Sequence, residues 1–147
     1  MNTPSTSSHV DLAARLRLAV TRTARRLRQE AGTDLSPSLA AALATVARHG
    51  PLTPSELAGC ERVQRPTATR IAARLETEGL LARTGDPTDG RVTLLTATPE
   101  GLALLHKLRT RKNAYLARRL RDLPAEDLVA LERAADVLER LLEHGRA

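Results

Sequence analysis

Arg62, Arg65, Arg70 and Arg74 stand within thirteen positions of the chain, and no acid lies among them. Gln64, Thr67 and Thr69 are interleaved with them. A guanidinium can bond bidentately to guanine or to phosphate, and a threonine offers a hydroxyl and a methyl that fits against thymine. A second group follows. Gly85-Asp86-Pro87-Thr88-Asp89-Gly90 is a run of turn formers closed by Arg91. Alone, Asp86 and Asp89 would repel phosphate; Arg91 supplies the positive group, and the Asp89 carboxylate is placed to orient it. An arginine in a minor groove is stabilised by the negative potential there. The chemistry open to these residue types is recognition of a duplex. Gln64, Arg65, Thr67, Thr69, Arg70 and Arg74 would meet one groove, and Asp89 and Arg91 the other.

Such residues act only if short elements hold them in place. Residues 65–78 place Ala68, Ile71, Ala72 and Leu75 on one face at helical spacing. The opposite side presents Pro66, Thr69, Arg70 and Ala73, small enough to enter a major groove ~12 Å wide. Gly79 ends the helix. Upstream, Thr53-Pro54-Ser55-Glu56 is a capping box that opens a short helix bearing Leu57 and Ala58. A polar turn from Gly59 to Arg62 separates the two helices. Downstream, Leu80–Thr84 and Arg91–Ala97 read as two strands around the turn cluster. Two helices, a tight turn and a strand–loop–strand make a winged helix-turn-helix, over about residues 37–98.

Longer helices flank this module. Residues 10–31 carry Leu12, Leu16, Ala19, Val20 and Leu27 at helical spacing. Ser36-Pro37 opens a helix that ends at His49-Gly50-Pro51. Thr98-Pro99 opens a long one, about 99–122, with Leu102, Leu105, Leu108, Tyr115, Leu116 and Leu120. Leu128, Leu131, Ala135, Leu138 and Leu142 stripe a last helix, about 124–145. Residues 1–9, rich in Ser and Thr, read as a flexible tail, leaving 10–147 as a single domain. The fold class is mainly α with a small β-hairpin wing. The terminal leucine stripes are too long for a module of some fifty residues to cover, which points to a homodimer.

Composition narrows the function classes. The chain has 147 residues and a formal net charge of +6. Residues 92–121 hold seven basic groups against Glu100 alone, whereas 122–147 are net acidic, so some of that charge would pair internally. There is no Phe or Trp, and Tyr115 is the single tyrosine. Proteins that bind single strands or RNA stack bases on aromatic side chains, so this chain suits a duplex instead. Cys60 cannot form an internal disulfide, and no apolar run has the ~18 residues of a membrane span, so a cytoplasmic protein is expected. His9, His49, His106 and His144 are scattered, with no metal-ligand spacing. No catalytic triad, phosphate-cradling glycine loop or carboxylate pair stands out, and neither an enzyme nor a cofactor is expected.

From Leu52 to Gly101 the chain resembles the MarR family of bacterial transcriptional regulators. The matching stretches are Leu-Thr-Pro-Ser-Glu-Leu-Ala at 52–58, Val-Gln-Arg-Pro-Thr-Ala-Thr-Arg at 63–70, Arg-Leu-Glu-Thr-Glu-Gly-Leu-Leu at 74–81 and Asp-Pro-Thr-Asp-Gly-Arg at 86–91. The family's wing pattern falls on Asp89, Arg91, Thr98 and Gly101. Its leucine is Ala97 here, and Gly90 replaces a frequent second arginine. The resemblance implies a triangular homodimer on a pseudo-palindromic operator, with half-sites about one turn, ~10 bp, apart or a multiple of that. It also implies a repressor that releases DNA when a small, often aromatic or phenolic, molecule binds between residues 10–31, 37–49 and 99–121.

Two other readings stay open. Cys60, in the turn before the arginine-bearing helix with Arg62 and Arg65 nearby, would serve a redox-sensing regulator. A helical module that binds protein and not DNA would have the same periodicities; the salt dependence of duplex binding separates them.

Overall fold

A computed structural model describes residues 6–144. The order of elements is α1 (Thr6–Ala31), α2 (Pro37–His49), α3 (Pro54–Glu61), α4 (Arg65–Thr77), β1 (Leu81–Gly85), β2 (Thr93–Ala97), α5 (Pro99–Arg121) and α6 (Ala125–His144). Helix α1 starts earlier than expected, so residues 6–9 are helical and not tail; with neither Gly nor Pro between positions 5 and 31, nothing in the chain stops the first turn. The rest of the expected tail, residues 1–5, lies outside the described residues, as do 145–147.

The starts of the helices follow from their capping residues. Ser36 Oγ accepts the Leu39 N–H, and Pro37 fills the first turn, where no N–H is needed. Thr53 Oγ1 accepts the Glu56 N–H at 3.1 Å while the Glu56 carboxylate accepts the Thr53 N–H, closing the capping box. The turn between α3 and α4 is tighter than its sequence suggests. Gly59, Cys60 and Glu61 remain helical, and Arg62 ends the helix in the left-handed region at φ 54°. Only Arg62, Val63 and Gln64 then separate the helices.

Helices α2, α3 and α4 and the hairpin enclose one core. Leu43, Val46, Leu57, Leu75 and Leu95 are its largest fully buried side chains, joined by Ala42, Ala68 and Ala72. Strands β1 and β2 are antiparallel, from Leu81 opposite Ala97 to Gly85 opposite Thr93. Leu52 adds a reciprocal pair of backbone bonds to Leu95 and so ties the start of α3 to the sheet. Strand β1 is shifted by one residue from the expected Leu80–Thr84, and β2 starts two residues later than the expected Arg91. The Leu80 N–H closes α4 on the Leu75 carbonyl, and the Val92 N–H turns back onto the Asp89 carbonyl, so Leu80, Arg91 and Val92 serve turns.

The hairpin is locked to α5 at a single threonine. Thr98 Oγ1 accepts the Gly101 N–H at 3.0 Å and donates to the Gly79 carbonyl at 2.6 Å. Gly101 lies so close to Leu80 that a Cβ there would collide with the Leu80 carbonyl oxygen. This contact gives the Thr-x-x-Gly spacing its physical meaning. The outer helices are different: α6 has no buried residue, and in α1 only Ala31 is buried.

Candidate nucleic-acid interface

Burial of Ala68, Ala72 and Leu75 turns the other side of α4 outward. Gln64, Arg65, Pro66, Thr69, Arg70, Ala73 and Arg74 are exposed, while Thr67 and Ile71 are half-buried. Gln64 makes no side-chain bond at the helix start, so its amide is free to meet a ligand. Thr69 donates its hydroxyl to the Arg65 carbonyl at 3.0 Å. That removes the hydroxyl proton from use against a phosphate and leaves Thr69 its methyl and an acceptor lone pair. Arg70 Nη2 reaches Thr67 Oγ1 at 3.4 Å, a weak bond that a base or phosphate can replace. Arg74 pairs through Nε with Glu78, one turn on, at 3.0 Å, so its charge is partly offset.

The wing departs from expectation at Asp89. Its carboxylate accepts the backbone N–H of Arg91 at 3.0 Å, so it shapes the turn and does not grip the guanidinium. Asp86 shapes the loop in the same way, accepting both the N–H and the hydroxyl of Thr88 at 2.8 Å. Those bonds from Thr88 hold the Asp86 carboxyl below the ordinary carboxylate range. With the acids bound to loop backbone, the Arg91 side chain is exposed and forms no ion pair among the described residues.

Helix and wing meet in a groove of about 380 Å³. Arg65 and Thr69 line it from α4, Arg91 and Thr93 from the wing, and Ser55 from the start of α3. Thus Arg65, Thr69 and Arg91 come together, while Arg70 and Arg74 stand on the exposed face beyond the groove. Arg83 of β1 lines the same groove, with its Nε 2.7 Å from Glu76 Oε2. The sequence placed Arg83 only within a strand. Leu81 and Arg83 share a face of β1, and exposure rises from Leu81 toward the hairpin tip, so no alternation in the sequence marked Arg83 out.

Comparison with known proteins agrees with this architecture. The MarR family profile matches residues 35–93, which covers α2 through the start of β2. A helix-turn-helix transcriptional regulator of Mycobacterium leprae is 36% identical over 137 residues, 92% of this chain and 96% of the relative. This chain belongs to the MarR family. A transcriptional repressor of Bacillus subtilis, MdtR, is 32% identical over 74% of this chain and 68% of its own length. Among solved structures, a transcriptional regulator of Pseudomonas aeruginosa is 33% identical, with a TM-score of 0.84 over 95% of this chain and 98% of that one. MarR-family proteins are DNA-binding transcriptional regulators and not enzymes.

A space lies between the helices where the MarR resemblance implies an effector. Helices α1, α2 and α5 bound a crevice of about 420 Å³ with a floor of alanines and leucines and with Arg28, Arg48, Arg109 and Lys112 around it. Tyr115 is not among its lining residues. Its hydroxyl instead accepts the Nε–H of Arg26 at 3.2 Å and of Arg119 at 3.3 Å, and both guanidiniums lie within 6 Å of the ring centre. These donors, Arg119 foremost, pull the Tyr115 phenol below its ordinary value. Cys60 is exposed at the end of α3, in the helix and not in the following turn. Among the described residues no helix is long and apolar enough to cross a membrane.

Proposed function

We propose that the chain acts as a cytoplasmic homodimeric repressor on a pseudo-palindromic operator. Each copy sets α4 in a major groove and the Arg91 wing in the adjoining minor groove. The observation that carries this reading is the set of cations with no acid opposite them. Arg65, Arg70 and Arg91 form no ion pair among the described residues, and two of them line one groove between helix and wing. Three unpaired guanidiniums on small-residue surface match the size and charge of duplex grooves. One named relative supports the direction of control, since MdtR is called a repressor. The exposed stripes of α1 and α6 supply the second copy's docking face.

Release would come from a small molecule in the crevice between α1, α2 and α5. A ligand that prefers another spacing of the two α4 helices shifts the population by its differential affinity. The test is selection of bound fragments from the source genome, followed by titration of Arg70→Ala and Arg91→Ala. Arg70→Ala is expected to cost about 1–3 kcal/mol and to relax base preference, while Arg91→Ala weakens binding evenly across sequences. Equal, sequence-independent losses would reject this division of labour. A purified chain with no salt-dependent affinity for duplex DNA would reject the reading as a whole.

A further inference from the structure

Arg83 stands apart from the other cations of the groove because it is the one already held in a fixed direction. Its Nε meets Glu76 Oε2 at 2.7 Å, across from β1 to the last turns of α4. A guanidinium has five N–H donors, and the bond to Glu76 uses the single one on Nε. The Nη groups bond to nothing else among the described residues, and the side chain lines the groove with Arg65 and Arg91. No carboxylate lines that groove. The pair is also partly exposed, with side-chain exposures of 37% for Arg83 and 27% for Glu76. Exposed ion pairs contribute little to stability, so bracing the fold is a poor account of this one. Arg74 and Glu78 form a similar pair on α4, yet neither lines the groove.

We propose that Arg83 binds a backbone phosphate of the duplex and that Glu76 is its positioning residue. The inference rests on the duplex-binding reading above and adds a contact to it. If α4 enters one groove and the wing the next, the sugar–phosphate strand between those grooves crosses the space between helix and wing. Arg83 sits in that space. Terminal guanidinium nitrogens suit phosphate oxygens, and such contacts fix register while carrying no base preference. Glu76 holds the fork by its Nε edge, so less side-chain freedom is lost on binding.

The experiment measures affinity against salt for a selected genomic fragment and for a mixed-sequence duplex. Arg83→Ala is expected to weaken both by a similar factor, about tenfold. The slope of log affinity against log salt becomes shallower by about 0.9 per copy. Arg83→Gln, which keeps a donor for Glu76 and loses the charge, gives the same shallower slope with an unchanged melting curve. Glu76→Ala weakens the selected fragment less than Arg83→Ala does, keeps the full slope, and has no further effect once Arg83 is alanine. If Arg83→Ala and Arg83→Gln both retain the parental slope, the proposal is overturned and the pair is only a brace. An effect of Glu76→Ala that persists without Arg83 overturns the positioning role. If Arg91→Ala loses slope and the Arg83 variants do not, duplex binding stands and this assignment alone falls. Wild-type protein with no salt-dependent binding overturns both.

Discussion

The winged module and the terminal helices are built from the same leucine and alanine periodicities, yet they end in opposite states. In the module every stripe finds a partner inside the chain: Leu43, Leu57, Leu75 and Leu95 are fully buried. In α1 and α6 the stripes face outward, with Leu12 60%, Leu131 48% and Leu142 74% exposed. An amphipathic helix is stable in water only when its apolar face is covered. The module is therefore a folding unit of one chain, whereas α1 and α6 leave an apolar surface that the second copy of the proposed homodimer would cover. In the proposed function this division separates the region that would meet DNA from the region that would set the distance between two such modules.

Changes on the exposed stripe test that division most severely. Leu131→Glu combined with Leu142→Glu is expected to raise the dimer dissociation constant at least ~100-fold. Each leucine contributes about 1.5–3 kcal/mol of burial, and symmetry counts it in both copies. Sedimentation checks it: the mass should fall to that of the monomer while the far-ultraviolet helical signal of the module survives. A dimer that persists at the same concentration would mean that α6 is covered by something else. Leu75→Ala strikes the other region. With Leu75 fully buried, the loss should be about 2–5 kcal/mol, read from the denaturant midpoint, with assembly unaffected where the protein remains folded.

Smaller effects refine the picture. Thr53→Ala removes one half of the capping box of α3 and should cost about 1 kcal/mol, seen as a lower denaturant midpoint with no change of mass. Tyr115 reports on the seam between α1 and α5. As the only tyrosine of a chain without tryptophan, its phenolate absorbance can be followed alone. Arg119 and Arg26 hold its ionisation below the usual value of about 10. The folded state thus favours the phenolate, so its contribution is absent well below the folded midpoint and grows as pH rises through it toward 10. Arg119→Gln should move the midpoint back up. A midpoint unmoved by that change would show that the seam does not set it.

Much of this molecule was legible in its sequence because the signals are local. Thr53 and Glu56, Ser36 and Pro37, and Thr98 and Gly101 act over three residues or fewer, within reach of one turn of helix. The exposed face of α4 followed from burial of Ala68, Ala72 and Leu75 at fixed spacing. The errors fell where a distant or competing bond decides. Asp89 beside Arg91 looks like an ion pair in sequence, but the carboxylate reaches the nearer backbone N–H first. Gly59 and Cys60 look like turn residues, yet the left-handed backbone at Arg62 lets α3 continue past them. The predicted tail failed at residues 6–9 because Ser and Thr that favour caps also tolerate a first helical turn.

By itself the sequence determined the order of elements, the core face of α4, and the sign and spacing of the charges that face outward. Those properties depend on backbone periodicity and on side-chain chemistry, which each residue carries with it. Tertiary structure alone decided which cations share a space. Arg83 joins Arg65 and Arg91 because the β1–β2 hairpin folds back over α4, with Glu76 across from it, and Tyr115 leaves the crevice for two arginines on different helices. Such meetings join residues up to 89 positions apart. They arise from the crossing of packed elements, and no local pattern in the chain encodes that crossing.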